Sequence, residues 1–227
     1  MDFADIDQFI ERAGASAVIE AIASSITDTR RQRIERVLHG RLSSLEVAIE
    51  RPEHPHNAAA VVRTGEALGL MHVHVIDAGP RALDHRWVTQ GAFNWLHTYE
   101  YDTFDQFEAP LHKRHVRLAG AVMNGELSVE ELPVDQPLCI IFGNEGTGLS
   151  DDALAGCDVT FRVPMFGMSE SLNLSVSAAI TVQSLVRRRR LLLGSEGDLQ
   201  GSAYLREKAR YYALSVENRL LAACFGE

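Results

Sequence analysis

The chain has 227 residues, 46% of them hydrophobic and 23% charged, with a mean hydropathy of -0.07. Those values exclude a wholly disordered, collagen-like or membrane-embedded chain, and the length suits one substantial α/β domain with appendages rather than two full catalytic domains. The net charge of -9, taken alone, argues against a nucleic-acid partner, because phosphate binding needs local positive charge.

The first residues, Met1 to Asp7, are acidic where a secretory signal would be basic and then apolar, and no apolar run approaches the ~20 residues of a membrane span. A cytoplasmic protein with no membrane partner is expected. Residues 1–43 read as a helical N-terminal extension: Ile6, Phe9, Ile10 and Ala13 recur at helical spacing, followed by Val18, Ile22 and Ile26. A third helix, capped by Thr27 or Asp28, carries Ile34, Val37 and Leu38 on one side and exposes Arg30, Arg31, Arg33, Arg36 and Arg41.

From residue 44 to 193 short apolar strands alternate with helices, the pattern of a mostly parallel sheet covered on both faces. Strands are predicted at Leu45–Ile49, His72–Ile76, Leu96–Tyr101, Val116–Val122, Leu138–Phe142 and Val159–Val163. Helices are predicted at about 57–69, 82–91, 103–112, 150–156 and 172–191. The last ends in Arg187, Arg188, Arg189 and Arg190, where cations also suit the helix dipole. Residues 194–227 open on a Gly-Ser-Glu-Gly-Asp break. They continue with Leu205, Ala209, Tyr212, Val216 and Leu220 at amphipathic helical spacing, for packing on the body or on a partner subunit.

The charge is unevenly spread. Residues 1–29 hold six acids and one base, 30–51 six bases and three acids, 52–186 seven bases and seventeen acids, and 187–227 eight bases and five acids. Arg-rich flanks therefore border an acidic centre, and of the 22 basic residues only Lys113 and Lys208 are lysines. Arginine is the side chain better suited to bidentate phosphate contacts. Cys139, Cys157 and Cys224 show no CxxC spacing and read as reduced thiols. The pairs His54/His56, His72/His74 and His112/His115 lack an acidic or Cys set at zinc spacing, so no metal is expected.

Three segments stand out from this scaffold. In Pro55-His-Asn57-Ala-Ala-Ala-Val-Val-Arg63-Thr64, Asn57 is a natural helix N-cap with Arg63 six residues later. Phe142-Gly143-Asn-Glu145-Gly-Thr-Gly-Leu-Ser150 is a glycine-rich turn between a strand and a helix that Ser150 or Asp151 could cap. It presents backbone N–H groups to a ligand but matches neither a dinucleotide fingerprint nor a P-loop. Val163-Pro164-Met165-Phe-Gly-Met-Ser-Glu-Ser171-Leu172-Asn173-Leu-Ser-Val runs from a strand through a Pro/Gly loop into a helix start rich in hydroxyl and amide groups, suited to an anion.

Together, in this order and spacing, the three segments resemble the motifs of the SpoU (TrmH) RNA ribose 2'-O-methyltransferases, over about residues 30–193. Within the family the likeness is to the tRNA (guanosine-2'-O-)-methyltransferases, which modify a guanosine in the D-loop. The resemblance implies an α/β SPOUT-type parallel sheet with helices on both faces and a C-terminal trefoil knot, one of the few exceptions to the rule against knots. It implies S-adenosyl-L-methionine as cofactor, bound by Gly120, Gly143, Val163, Met165 and Leu172, and a homodimer with Asn57, Arg63 and Glu145 near the interface. Ser171 and Asn173 would stand beside the nucleotide, and the flanking arginines would hold the tRNA. Arg63 matches the catalytic position. An arginine is a poor base in water, so electrostatic positioning of the ribose hydroxyl comes first, with Asn57 and Glu145 holding the arginine or the loop. An rRNA methyltransferase of the same family, or a non-catalytic RNA-binding protein with this fold, are the competing readings.

Overall fold

The computed structural model describes residues 3–77, 91–217 and 220–221. In chain order its elements are α1 (Phe3–Ala13), α2 (Ala15–Ile22), a 3-10 turn (Ala23–Ser25), α3 (Asp28–His39), β1 (Leu42–Glu50), α4 (Pro55–Leu68) and β2 (Leu70–Ile76). After a second 3-10 turn (Ala92–Trp95) come β3 (His97–Tyr101), α5 (Phe104–Lys113), β4 (Arg117–Ala121), β5 (Leu127–Ser128) and β6 (Leu138–Phe142). The series closes with α6 (Asp151–Gly156), β7 (Val159–Arg162), α7 (Leu174–Leu193) and α8 (Gly201–Ala213). The expected helix at 82–91 and Cys224 lie outside the described residues, save for Gly91, a turn residue. Two compact units result: one runs from Leu42 to Ser195, and the other gathers both ends of the chain, up to Arg41 and from Glu196.

The larger unit is built on a seven-stranded sheet in the order β3-β2-β1-β6-β4-β7-β5. Every pairing is parallel. The central strand β6 is buried along its whole length and β1 from Leu45 onward, as parallel strands covered on both faces must be, which is why they read as continuous apolar runs. On one face Val47, Ile49, Val73, Ile140 and Phe142 pack against Ala58, Val61 and Val62 of α4 and Ala178, Val182 and Leu185 of α7. On the other, Ala48, Ile76, Cys139 and Ile141 meet Phe104, Phe107 and Leu111 of α5 and Ala153 of α6. All six predicted strands are present, within three residues at each end; β5, two residues long, carries no periodicity by which to find it.

In the smaller unit α8 packs against α1, α2 and α3. Its core joins Ile6, Phe9, Val18, Ile22, Ile34 and Leu38 to Ala209 and Tyr212. The terminal helix departs from expectation in two ways: Leu205 is exposed, and the helix stops at Ala213 instead of running to Leu220. Residues 209–213 are buried consecutively, so the helix end is surrounded on most sides and a three-to-four spacing does not single out the buried stripe.

Several arginines are also not where the charge pattern puts them. Arg41 is 1% exposed. Its Nε donates to the Tyr211 hydroxyl at 3.1 Å, and the returning chain seals it in, with the Asp198 N–H donating to its carbonyl at 3.0 Å. Arg41 is therefore withdrawn from the RNA-facing set. In α3, Arg30 donates to the Ser215 hydroxyl at 3.3 Å, while Arg31 pairs with Asp28 and donates to the Ala23 carbonyl at 3.1 Å. Arg33 and Arg36 are exposed, and their side chains form no hydrogen bond or ion pair among the described residues.

The 187–190 run is corrected likewise. Arg188 donates to the carbonyls of Val129 and Leu132, at 2.9 and 2.5 Å. Buried Arg189 donates to the Val134 carbonyl at 2.6 Å and the Ser44 hydroxyl at 2.9 Å, and Arg190 donates to the Leu68 carbonyl at 3.2 Å. Arg188 and Arg189 satisfy carbonyls of the loop after β5, and Arg190 the carbonyl that ends α4, needs that the periodicity of α7 does not reveal. Only Arg187 of the run is exposed.

Beneath α5 lies a polar cluster. Glu46 of β1, 1% exposed, accepts from both terminal nitrogens of Arg114 at 2.7 and 3.1 Å and from His74 Nε2 at 2.7 Å; His74 Nδ1 faces the Tyr101 hydroxyl at 3.3 Å. Burial pushes the Glu46 carboxyl up, but the His74 hydrogen bond, the charge of His72 and the Arg114 fork outweigh it and hold it at about 2. His72, stacked on His97 at 5.4 Å, is pushed down to about 4, chiefly by burial. An unfolded His72 takes up its proton near 6.5, the folded one only near 4, so stability is lost as pH falls through that window. We expect a decline of up to about 3 kcal/mol between those values, from ~1.4 kcal/mol per pKa unit. Below about 4.5 the protonation of Glu46 adds to it. Urea titrations across this range check the decline, which His72→Gln should flatten.

Candidate active site

β1 and β6 lie side by side, and the chain leaves them towards opposite sides of the sheet: β1 is followed by β2, on the side that ends in β3, and β6 by β7, on the side that also holds β4 and β5. The crevice outside the carboxyl ends of such a pair is where open α/β sheets bind ligands. The loops after β1 and β6 meet there.

After β1, Pro55 takes the first helical position of α4, where its missing N–H costs nothing. The helix therefore starts earlier than its Asn suggests. His54 occupies the cap position without a side-chain bond, and Asn57 is not the N-cap expected of it. Its amide is freed for a longer reach: Asn57 Nδ2 donates to Glu145 Oε1 at 2.6 Å.

After β6, the 143–150 loop folds back on itself through paired backbone bonds between Asn144 and Gly148, at 3.0 and 2.9 Å. A Cβ on Gly143 would stand 2.2 Å from the Gly148 carbonyl carbon, so only glycine permits this turn. The loop is tied to the end of β1 at both ends. Asn144 Nδ2 donates to the Arg51 carbonyl at 2.9 Å, and Ser150, which caps α6, donates to buried Glu50 from its N–H at 2.8 Å and its hydroxyl at 2.5 Å.

Glu145 is thereby aimed at α4. Its Oε2 accepts the Glu53 N–H at 2.8 Å. Burial would raise its pKa, but hydrogen bonds from Asn57 and from backbone N–H groups outweigh that and hold the carboxyl below its usual range. An ionised carboxylate only accepts, so the orientation of every amide in the chain follows. Asn57 presents Nδ2 to Glu145 and Oδ1 to Asn173, whose Nδ2 donates at 3.3 Å; Asn173 Oδ1 caps α7, accepting from the Ser175 N–H at 2.9 Å and hydroxyl at 2.6 Å. One directed relay thus joins the loops after β1, β6 and β7.

Of the residues singled out in the sequence, Asn57, Glu145 and Asn173 are brought together. Ser171, Met165 and Leu172 lie exposed on the loop after β7, with Val163 half-buried at its base. Gly120 sits inside β4, where a Cβ would come 2.8 Å from Leu149 and 2.9 Å from the Cys157 sulfur, so a larger residue would have to displace those side chains. Arg63 is exposed and its side chain bonds to nothing among the described residues. It lies six residues beyond Asn57, about 9 Å further along α4 and about 240° round it. Glu50, Glu53, Arg51 and Ser175 are parts of the site that the sequence reading missed; the one local sign was the acid ending the apolar run Val47-Ala48-Ile49.

Residues 44–183 match the sequence profile of the SpoU rRNA Methylase family. The chain belongs to that family. Among its SpoU relatives is the tRNA (guanosine(18)-2'-O)-methyltransferase of Borreliella burgdorferi, 34% identical over 173 residues that cover 76% of this chain and 79% of the relative. The Escherichia coli protein of the same name is 32% identical over 162 residues, 71% of each chain. The Aquifex aeolicus TrmH/SpoU tRNA modifying enzyme superposes with a TM-score of 0.75 at 25% identity, covering 84% of this chain and 98% of that one. The SpoU methyltransferase AviRb of Streptomyces viridochromogenes, solved in complex with the cofactor AdoMet, gives 0.60 at 26% identity, covering 66% and 62%. Among the described residues no helix is long and apolar enough to cross a membrane, and no group of His, Cys, Asp and Glu could hold a metal ion.

Proposed function

We propose that this protein transfers the methyl group of S-adenosylmethionine to the ribose 2'-oxygen of a guanosine in the D-loop of tRNA, acting in the cytoplasm as a homodimer whose larger unit carries a trefoil knot. The observation that carries the reading is the Glu145-Asn57-Asn173 relay, which joins the three motif segments at the sheet's switch point.

The loop after β7 fits the cofactor. No hydrogen bond among the described residues involves Pro164 to Leu172, which leaves its backbone N–H and C=O groups for the edge of a purine, beside the apolar surface of Val163, Met165 and Leu172. The glycine turn at Gly143 would let the loop after β6 approach it. When bound, the cofactor supplies an electrophilic methyl on a sulfonium. The protein's own work is to hold the ribose hydroxyl in line with that methyl and to ease the loss of its proton. Glu145, held ionised by hydrogen bonds from Asn57 and backbone N–H groups, is a weak base and serves as the anchor of the relay. Arg63 positions and polarises the hydroxyl, and Ser171 binds the adjacent phosphate.

Supporting the dimer are exposed apolar side chains next to the site: Phe166 is 98% and Met168 101% exposed, and Leu172, Val176 and Ile180 follow at four-residue spacing. Such exposed apolar side chains suit a subunit interface, and covering them would bring a second subunit to the loops of the site. Arg33, Arg36 and Arg187 are the remaining candidates for gripping tRNA.

A relative in Bacillus subtilis, 28% identical over 169 residues, is named a 23S rRNA (guanosine(2553)-2'-O)-methyltransferase, so rRNA is the competing substrate. Incubation with labelled S-adenosylmethionine and tRNA or rRNA transcripts, followed by mapping of the label, separates the readings. A 2'-O-methylguanosine in the D-loop is expected. Label in rRNA alone moves the assignment to the rRNA branch, and RNA binding without any transfer makes the protein a non-catalytic binder.

A further inference from the structure

Arg51 stands in the crevice and takes no part in the relay. It follows β1 with a φ of 47°, the left-handed region that a non-glycine residue enters at a cost. Both sides of its backbone are fixed there: its N–H donates to the Ile76 carbonyl at 2.8 Å and its carbonyl accepts from Asn144.

The side chain so aimed is 36% exposed, yet its Nε is buried and has no hydrogen-bond partner. Its nearest acid is Glu50, with Oε1 at 4.0 Å, and that carboxylate is already engaged by Ser150. No other bond to the guanidinium exists among the described residues. The segments 50–57 and 143–150 hold Glu50, Glu53 and Glu145 against Arg51 as their single Lys or Arg. A polyanion entering this crevice meets three carboxylates and one guanidinium that donates no hydrogen bond among the described residues, whose fork matches two oxygens of a phosphate.

We infer that Arg51 is a substrate-binding residue of the active site, its guanidinium taking a phosphate of the RNA that presents the target nucleotide. The inference rests on the methyltransferase reading above and adds a contact which that reading does not contain.

Arg51→Asn removes the charge while keeping a side chain that tolerates the left-handed backbone, and Arg51→Lys keeps the charge but not the fork. Steady-state methylation, fluorescence anisotropy with a tRNA transcript at graded salt, and calorimetry with S-adenosylhomocysteine are read on each. We expect Arg51→Asn to raise the KM for tRNA by about tenfold, to weaken binding and to lower the salt slope by about one, with S-adenosylhomocysteine affinity unchanged. Arg51→Lys should recover part of the affinity. Unchanged tRNA binding and salt slope in Arg51→Asn overturn the inference, as does a loss confined to S-adenosylhomocysteine, which would assign the guanidinium to the cofactor's carboxylate. A wild-type protein that binds tRNA but methylates no RNA overturns the catalytic reading, while the anisotropy comparison still decides the role of Arg51.

Discussion

Replacing Arg63 by alanine should lower kcat for RNA methylation by about 10²–10³-fold, the scale on which a single preorganised electrostatic group acts on developing charge. The side chain is exposed and bonded to nothing among the described residues, so its loss costs the fold little. The melting temperature and the affinity for S-adenosylhomocysteine should stay at wild-type values, and single-turnover methylation should carry the whole defect. Lysine at the same position should restore only a minor part, because a point charge does not reproduce the planar fork. Methylation by Arg63→Ala at the wild-type rate would remove this residue from the catalytic set and leave the ribose hydroxyl to be positioned by other groups.

The largest effect on stability should come from Glu46→Ala. Glu46 is acceptor to both His74 and Arg114 inside the sheet-helix interface. His74 is as buried as Glu46, at 1% side-chain exposure, whereas the Arg114 side chain is 46% exposed. Removing the carboxylate strands the His74 Nε2 proton in the core, while Arg114 can turn to water. Breaking one partner from a buried pair costs about 3–5 kcal/mol, and the half-exposed arginine places the expected value near the lower end. For a chain of this length the melting temperature should fall by roughly 6–12 °C, at about 2–4 °C per kcal/mol. Arg114→Ala should cost less, because the His74 hydrogen bond survives it. If thermal denaturation finds the two variants equally stable, the His74 contact contributes nothing and the pair is held by its exposed end alone.

Much of this protein is legible residue by residue. The strands of the sheet stand out because parallel strands buried on both faces are apolar without interruption, and Val47 to Ile49 and Leu138 to Phe142 are so in any context. The three loops of the site are legible because glycine, proline, Asn and Ser are needed there for local reasons: a turn that folds onto itself at Gly143, a helix begun by Pro55, a cap made by Asn173. The relay among them is not legible. Asn57 carries the same local signal whether it caps its own helix or reaches Glu145, and only the neighbouring positions of β1 and β6 decide for the second.

The arginines mark the boundary most clearly. From charge counts, Arg33, Arg41 and Arg189 are equivalent. Arg41 is buried by chain returning at residues 197–198 and by Tyr211, and Arg189 is drawn in by a carbonyl at Val134. Those contacts join residues more than fifty positions apart. The sequence by itself determined the α/β class, the family and the identity of the site's main residues, because each depends on local pattern. Only the tertiary structure decided which charges remain free for a ligand, because burial and hydrogen-bond satisfaction are set by whatever part of the chain folds over a side chain.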